Sequence, residues 1–442
     1  MAPLPPCVDA VFGMPEADRM RCLAHSIWSS PLMMSGGFQH AREDGQGLQP
    51  SAPGDLPLPT AAVLPDYGDE GLYGFAAGLR TWLHDLRAGW HHGGVEPGAS
   101  STVVVIVIDG LGDGFLNTVG AGSTLLAYRR GSMSSVFPST TASALTTLLT
   151  GVAPAVHGLN GWFIHDRRFG GVIAPLPLLH RGGPEISAFR LLPRLCPAAP
   201  MWHHACRPVN LVSPAEIAYS RFSLHHGRGA HIEPYDGIED FGQRIIDMVD
   251  ALAFSGGLVH AYYPGFDALS HLHGCRSAHV QACFWQLDAL FASLLDRLSG
   301  RGVHLVVTAD HGFIDAPAAG RVDIEPGSEP AAMLAAPLFG ERRLAFCKVR
   351  EGAGDEFEAW AGTALAGKAV AIRAHDCLAA GLLGPGEAHS RLLERVGTHV
   401  LLMEPGCTIV DQVEGETPYA LIGVHGGLTA DEMRVPRIVA CT

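Results

Sequence analysis

From Gly71 to Leu86 the apolar positions Leu72, Phe75, Leu79, Trp82, Leu83 and Leu86 recur at helical spacing and predict an amphipathic helix. The pattern then changes. Residues Thr102 to Ile108 read Thr-Val-Val-Val-Ile-Val-Ile, a β-branched run with no polar face, as expected for a central parallel strand buried on both sides. It stops at Asp109-Gly110. Leu258 to Tyr263 and Val303 to Thr308 read similarly, each followed by a polar cluster. Between them, Val280 to Leu298 carries Phe284, Leu287, Leu290, Phe291, Leu294 and Leu295 on one stripe and predicts a helix. Strands alternating with helices predict an α/β fold, a mostly parallel central sheet with helices on both faces. Ligands of such sheets sit at the carboxyl ends of the strands, where these polar clusters fall. Residues 1 to about 60 are rich in Pro, Gly and Met, show no period from Gln39 to Pro59, and read as an N-terminal extension. The main domain is expected over 61–442, with insertions at about 163–236 and 313–397 that carry no readable motif.

Composition narrows the function classes. The 442 residues include 44 acidic and 30 basic side chains, a net charge of −14, and only Lys348 and Lys368 are lysines. A basic face for a nucleic-acid polymer is therefore not expected. The longest strongly hydrophobic run, Val103 to Ile108, is far short of the roughly 20 residues that cross a bilayer. With no charged-then-hydrophobic N-terminal segment either, the reading is cytoplasmic and without a membrane partner. Ten cysteines are scattered without a Cys-x-x-Cys pair, which reads as small buried hydrophobes and not as a metal ribbon or disulfide frame.

The chemistry lies in four clusters placed just after apolar strands or on short turns. They are Asp109; Asp267 with His271; Asp310-His311; and His425 in Gly-Val-His-Gly-Gly-Leu. Each alone reads as a cap or turn residue, but together three aspartates and three histidines form a donor set suited to zinc. Asp267 and His271 are i and i+4, so one helical turn points both the same way. A fifth element runs from Phe137 to Gly151, where Pro138 and the following Ser/Thr residues mark a helix start and Gly151 a stop. Thr141 then falls at the helix N-terminus, where free N–H groups and the helix dipole favour a phosphoryl group. Beside a metal, such a hydroxyl becomes a nucleophile.

This set resembles the alkaline phosphatase superfamily, and within it the type I phosphodiesterase/nucleotide pyrophosphatase branch, over about Val63 to Pro436. The resemblance implies an alkaline-phosphatase-like α/β fold with inserted cap segments, two zinc ions (or another divalent metal such as manganese) and a small phosphorylated, nucleotide-type substrate. In that family the nucleophile lies nine residues before the threonine of a Thr-Gly pair; here Thr150-Gly151 points to Thr141. Carried over, one zinc would be held by Asp267, His271 and His425. The other would be held by Asp109, Asp310, His311 and the Thr141 oxygen. Many relatives place a phosphoryl-binding asparagine 21 residues after the nucleophile, whereas this chain has Trp162 there, with Asn160 two residues earlier. Asn160 and Trp162 are therefore the candidate substrate contacts, with a turn and a core role as the plainer alternatives.

The implied activity is hydrolysis of a phosphodiester or pyrophosphate bond through a phospho-threonine intermediate. Two zinc ions add four positive charges and three aspartates remove three, leaving about +1, a balance that suits a singly charged diester. Monoesterase and phosphonate hydrolase activities on the same residues are the alternatives, followed by a phosphomutase and by a non-catalytic binding protein that kept the fold. A sulfatase does not fit, because no Cys-x-Pro-x-Arg context occurs. Arg167, Arg168 and Arg181 follow the nucleophile motif and read as solvated surface residues.

Overall fold

The computed structural model describes residues 56–92, 95–98, 100–416 and 420–442, so residues 1–55 of the expected extension lie outside the described part. Its centre is a seven-stranded sheet. The strands are β1 (Thr102–Ile108), β2 (Arg129–Ser134), β3 (Val209–Pro214), β4 (His231–Tyr235), β5 (Gly257–Tyr263), β6 (Val303–Thr308) and β7 (Arg434–Cys441). Their order is β2-β7-β6-β1-β5-β3-β4. Strands β6, β1, β5, β3 and β4 pair in parallel, while β7 runs antiparallel to both β6 and β2. All seven residues of β1 are buried, as its unbroken apolar run requires.

Five helices matter for the site: α1 (Leu72–His84), α2 (Thr141–Thr150), α3 (Gly237–Ala251), α4 (Gly265–His273) and α5 (Ala278–Arg297). Helix α1 buries Leu72, Phe75, Leu79, Trp82 and Leu83, the expected stripe. It ends at Asp85, whose backbone is extended, so Leu86 lies past the helix and is exposed. On α5 the Ser277 side chain accepts from Val280 N, capping the start, and Phe284, Leu287, Phe291 and Leu294 go into the core. These stripes and the sheet share one apolar core.

The two expected insertions have different limits in space. After a small antiparallel sheet (Ile164–Asp166, Gly171–Ala174, Leu179–His180), the chain returns β3 and β4 to the central sheet, so the first excursion ends before Val209. The sequence hid this return because β3, although buried over Val209 to Val212, is short and its apolar run is broken by Asn210. The second excursion is longer than expected. It carries a four-stranded antiparallel sheet (Phe339–Gly340, Leu344–Cys347, His399–Met403, Ala369–Arg373) and a parallel pair (Arg321–Ile324, Thr408–Asp411), and it closes where Ile314–Asp315 pairs with Gly423–Val424. Five of the eight described cysteines are buried, and all eight are free thiols. Among the described residues, no helix is long and apolar enough to cross a membrane.

Candidate metal centre

Each chemical cluster reaches the same edge of the sheet by a short route. Asp109 directly follows β1, and Asp310-His311 follow β6. Asp267 and His271 ride on α4, which begins just after β5. Thr141 is the first residue of α2, reached from the end of β2. His425 comes from the other direction. It precedes β7, and because that strand is antiparallel its start lies at the edge where its neighbours end. Gly110 makes the first of these turns possible. Its φ is +79°, and a Cβ there would lie 2.5 Å from the Phe313 ring.

The donors converge in two groups. His311 Nε2 lies 3.4 Å from Asp109 Oδ1, 3.5 Å from Asp310 Oδ2 and 3.1 Å from Thr141 Oγ1. His271 Nε2 lies 3.5 Å from Asp267 Oδ1 and 3.2 Å from His425 Nε2, which is itself 3.8 Å from Asp267 Oδ1. The two groups touch, since the His311 and His425 rings stack with centroids 3.8 Å apart. Asp109, Asp310 and His311 form the deep group, with side chains 3%, 0% and 0% exposed. Asp267 and His271 are shallower at 18% and 24%, so this half opens toward solvent.

Surrounding bonds aim these donors. The Nδ1 atoms of His271, His311 and His425 meet the backbone carbonyls of Gly423, Gly312 and Ser139, leaving every Nε2 turned inward. Asp310 Oδ1 accepts the N–H groups of Gly110 and His311, and Asp109 Oδ2 accepts the Tyr262 hydroxyl. The remaining oxygens, Asp109 Oδ1, Asp310 Oδ2 and Asp267 Oδ1, are buried without a hydrogen-bond partner. Three orphaned carboxylate oxygens facing three imidazoles are costly unless a cation satisfies them.

The titration behaviour points the same way. Burial, followed by the charges of Asp310 and Asp267, holds Asp109 well above the usual carboxylate range. Burial also raises Asp267, with Asp310 and then Glu341 adding to it. Burial pushes His271 down to about 4 and His425 well below the ordinary imidazole range. His271 and His425 are thus neutral donors, while Asp109 and Asp267 lack countercharge. A pair of divalent cations fits both deficits, with candidate groups Asp109/Asp310/His311 and Asp267/His311/His425 each presenting donor atoms within 4.8 Å of one another.

The two candidate substrate contacts sit differently. Asn160 is fully buried, and its amide nitrogen donates to the Arg395 carbonyl at 2.7 Å. Its nitrogen is committed to the backbone, while its Oδ1 is buried without a hydrogen-bond partner. Trp162 is half-buried and its ring packs among the apolar residues of the first excursion, but its backbone N–H donates to Glu341 Oε1 at 2.7 Å. That same oxygen accepts the Thr140 hydroxyl, one residue before Thr141. Glu341 was not visible in the sequence because its partners are 179 and 201 residues away. Arg181 is also not a surface residue: it is 8% exposed and paired with Asp411 and Glu416.

The sheet order and this edge-mounted cluster of candidate metal donors define an α/β protein of the alkaline-phosphatase-like class. Among solved structures the fold is similar to human ectonucleotide pyrophosphatase/phosphodiesterase 5, at 17% identity over 77% of this chain and 87% of that one, with a TM-score of 0.56. The murine form, as an inactive variant in complex with AMP, matches at 18% identity, 76% and 87% coverage and a TM-score of 0.55. Phosphonoacetate hydrolase from Sinorhizobium meliloti 1021 matches at 18% identity, 78% and 91% coverage and 0.52. No curated protein matches the sequence. The type I phosphodiesterase/nucleotide pyrophosphatase family model matches residues 103–428, and the chain belongs to that family of hydrolases.

Proposed function

We propose that this chain hydrolyses a phosphodiester or pyrophosphate bond of a small, nucleotide-type substrate through a phospho-threonine intermediate on Thr141. Residues 61–442 act as one catalytic unit. The carrying observation is the set of three orphaned carboxylate oxygens and three inward Nε2 atoms, one of which, that of His311, lies 3.1 Å from the Thr141 hydroxyl. Asp267, His271 and His425 would hold one divalent cation, zinc being the first candidate, and Asp109, Asp310 and His311 with Thr141 Oγ1 the other. Bound there, the pair would supply the positive charge that acidifies a hydroxyl or water and offsets charge on the attacking and leaving oxygens.

The chain's own residues supply the rest. Thr141 sits at the positive end of the α2 dipole, which favours the anionic phosphoryl group in front of it. Its Oγ1 attacks phosphorus and the bond to the leaving oxygen breaks. The Thr141 proton leaves with that oxygen; a water oxygen then attacks the same phosphorus, the Thr141 bond breaks, and Oγ1 takes a proton from that water as a phosphate monoester departs. Ser135 and Ser139 hold the nucleophile segment in register, their hydroxyls donating to the carbonyls of Asp310 and Gly427. A charge balance near +1 for two cations and three aspartates supports a diester in preference to a dianionic monoester. The test is turnover of zinc-loaded and manganese-loaded protein on matched aryl monoester, diester, nucleotide and phosphonate substrates. Diester or nucleotide turnover is expected, falling by roughly a thousandfold or more in Thr141→Ala. Undiminished turnover in that variant, or a clear monoester or phosphonate preference in the native chain, contradicts the proposal.

A further inference from the structure

The turn Gly340–Leu344 of the second excursion reaches the centre from outside the central sheet. Glu341 is its foremost acid. The Oε1 atom accepts from Thr140 Oγ1 and Trp162 N, so one oxygen ties the residue before the nucleophile to the position where relatives keep an asparagine. Gly426, next to His425, allows this approach: its φ is +107° and a Cβ there would lie 2.7 Å from Glu341 Cβ and Cγ. The Glu341 charge also acts on Asp267. The carboxylate therefore bonds to the residue before Thr141, and its side chain lies against the backbone beside His425. Its neighbour Arg342 exerts positive charge on Glu341 and His271 alike, while Arg343 is committed to Glu432.

We propose that Glu341 sets the charge the site accepts, favouring a phosphoryl group with one negative charge, as in a diester, over the dianion of a monoester. This rests on the hydrolase reading above. Two divalent cations and three aspartates leave about +1, and a fourth carboxylate brings the total to about zero before Arg342 is counted. The second charge of a monoester then meets extra repulsion from a fixed, partly desolvated acid, whereas a diester does not carry that charge.

The experiment uses the metal-loaded full chain well above neutral pH, where Glu341 is ionised even though burial pushes its pKa up to about 7. The values of kcat/KM are measured on p-nitrophenyl phosphate and on bis-p-nitrophenyl phosphate, which share a leaving group. Glu341→Gln keeps an Oε1 acceptor for Thr140 and Trp162 and removes only the charge. The monoester-to-diester ratio is expected to rise roughly ten- to a hundredfold. Glu341→Asp withdraws the charge by one methylene and should move the ratio the same way by less; it decides the matter if the Gln variant does not fold. A ratio that stays within roughly twofold of the native value overturns the inference while leaving the hydrolase reading intact. Native protein inactive on both substrates overturns the two together.

Discussion

Replacing Arg343 by methionine should cost a large part of the protein's stability, and the structure sets the size. The Arg343 and Glu432 side chains are both 0% exposed, with Nε to Oε1 and Nη2 to Oε2 each at 3.0 Å. Nη1 also donates to the carbonyls of Glu404, at 2.6 Å, and Cys407. Methionine fills most of the volume but leaves a buried carboxylate without its cation and takes the guanidinium donor from two carbonyls, of which that of Glu404 keeps the Cys407 N–H at 2.9 Å. Breaking one side of such a pair costs about 3–5 kcal/mol, against a total of about 5–15 kcal/mol for a typical native domain. Glu432 keeps Gly427 N at 2.8 Å and Thr429 Oγ1 at 2.7 Å, which holds the loss toward the lower end of that range. The assay is urea unfolding of Arg343→Met, Glu432→Gln and the double variant. Removing both charges should cost less than Arg343→Met alone, by at least about 1 kcal/mol, because the orphaned carboxylate is then gone. A single-variant loss under about 1 kcal/mol, or a double variant as unstable as the sum of the singles, would refute the reasoning.

Two other outcomes follow from charges elsewhere. Divalent cations should stabilise the metal-free protein by satisfying Asp109, Asp310 and Asp267, by about 2.7 kcal/mol at a hundredfold excess over Kd. Thermal melts with zinc and manganese check this, and a midpoint indifferent to both, or equally raised in Asp310→Asn, contradicts it. His226 is 1% exposed, and burial, with His225 second, pushes its pKa down to about 3. The unfolded chain therefore binds a proton that the folded chain refuses between about pH 6.5 and 3, so stability falls as pH drops through that window, by a few kcal/mol. In His226→Gln the acid limb of the stability profile should flatten; an unchanged slope would show that His226 does not carry it.

The candidate metal donors could be picked out because each sits within a few residues of a strong local signal. Asp109 ends an unmistakable buried strand, Asp310 ends another, and Asp267 and His271 share a helical turn. Thr141 followed from the helix start and from the Thr150-Gly151 stop, where Gly151 indeed adopts φ +69°. What aims these groups was hidden for the opposite reason. Tyr262 looks like one more apolar position of β5, yet its hydroxyl donates to Asp109. Asn160 is a candidate substrate amide because it lies near the expected seat; the partner of its amide nitrogen, the Arg395 carbonyl, is 235 residues away and left no local mark.

The same contrast explains why the second excursion had no readable motif although it bears on the site. The stretch Gly340-Glu341-Arg342-Arg343 has neither a period nor a ligand spacing, so nothing local marks it. Its meaning lies in three contacts at long range. Glu341 holds Thr140 and Trp162, while Arg343 holds Glu432, whose oxygens in turn fix Gly427 and Thr429 just beyond His425. One turn thus braces the start of α2 on one side and the His425 loop on the other. Substitutions in this excursion should accordingly alter substrate preference and the placement of His425 without touching a metal donor. The central sheet positions the candidate donors, and the excursion that looked featureless restrains the segments around them.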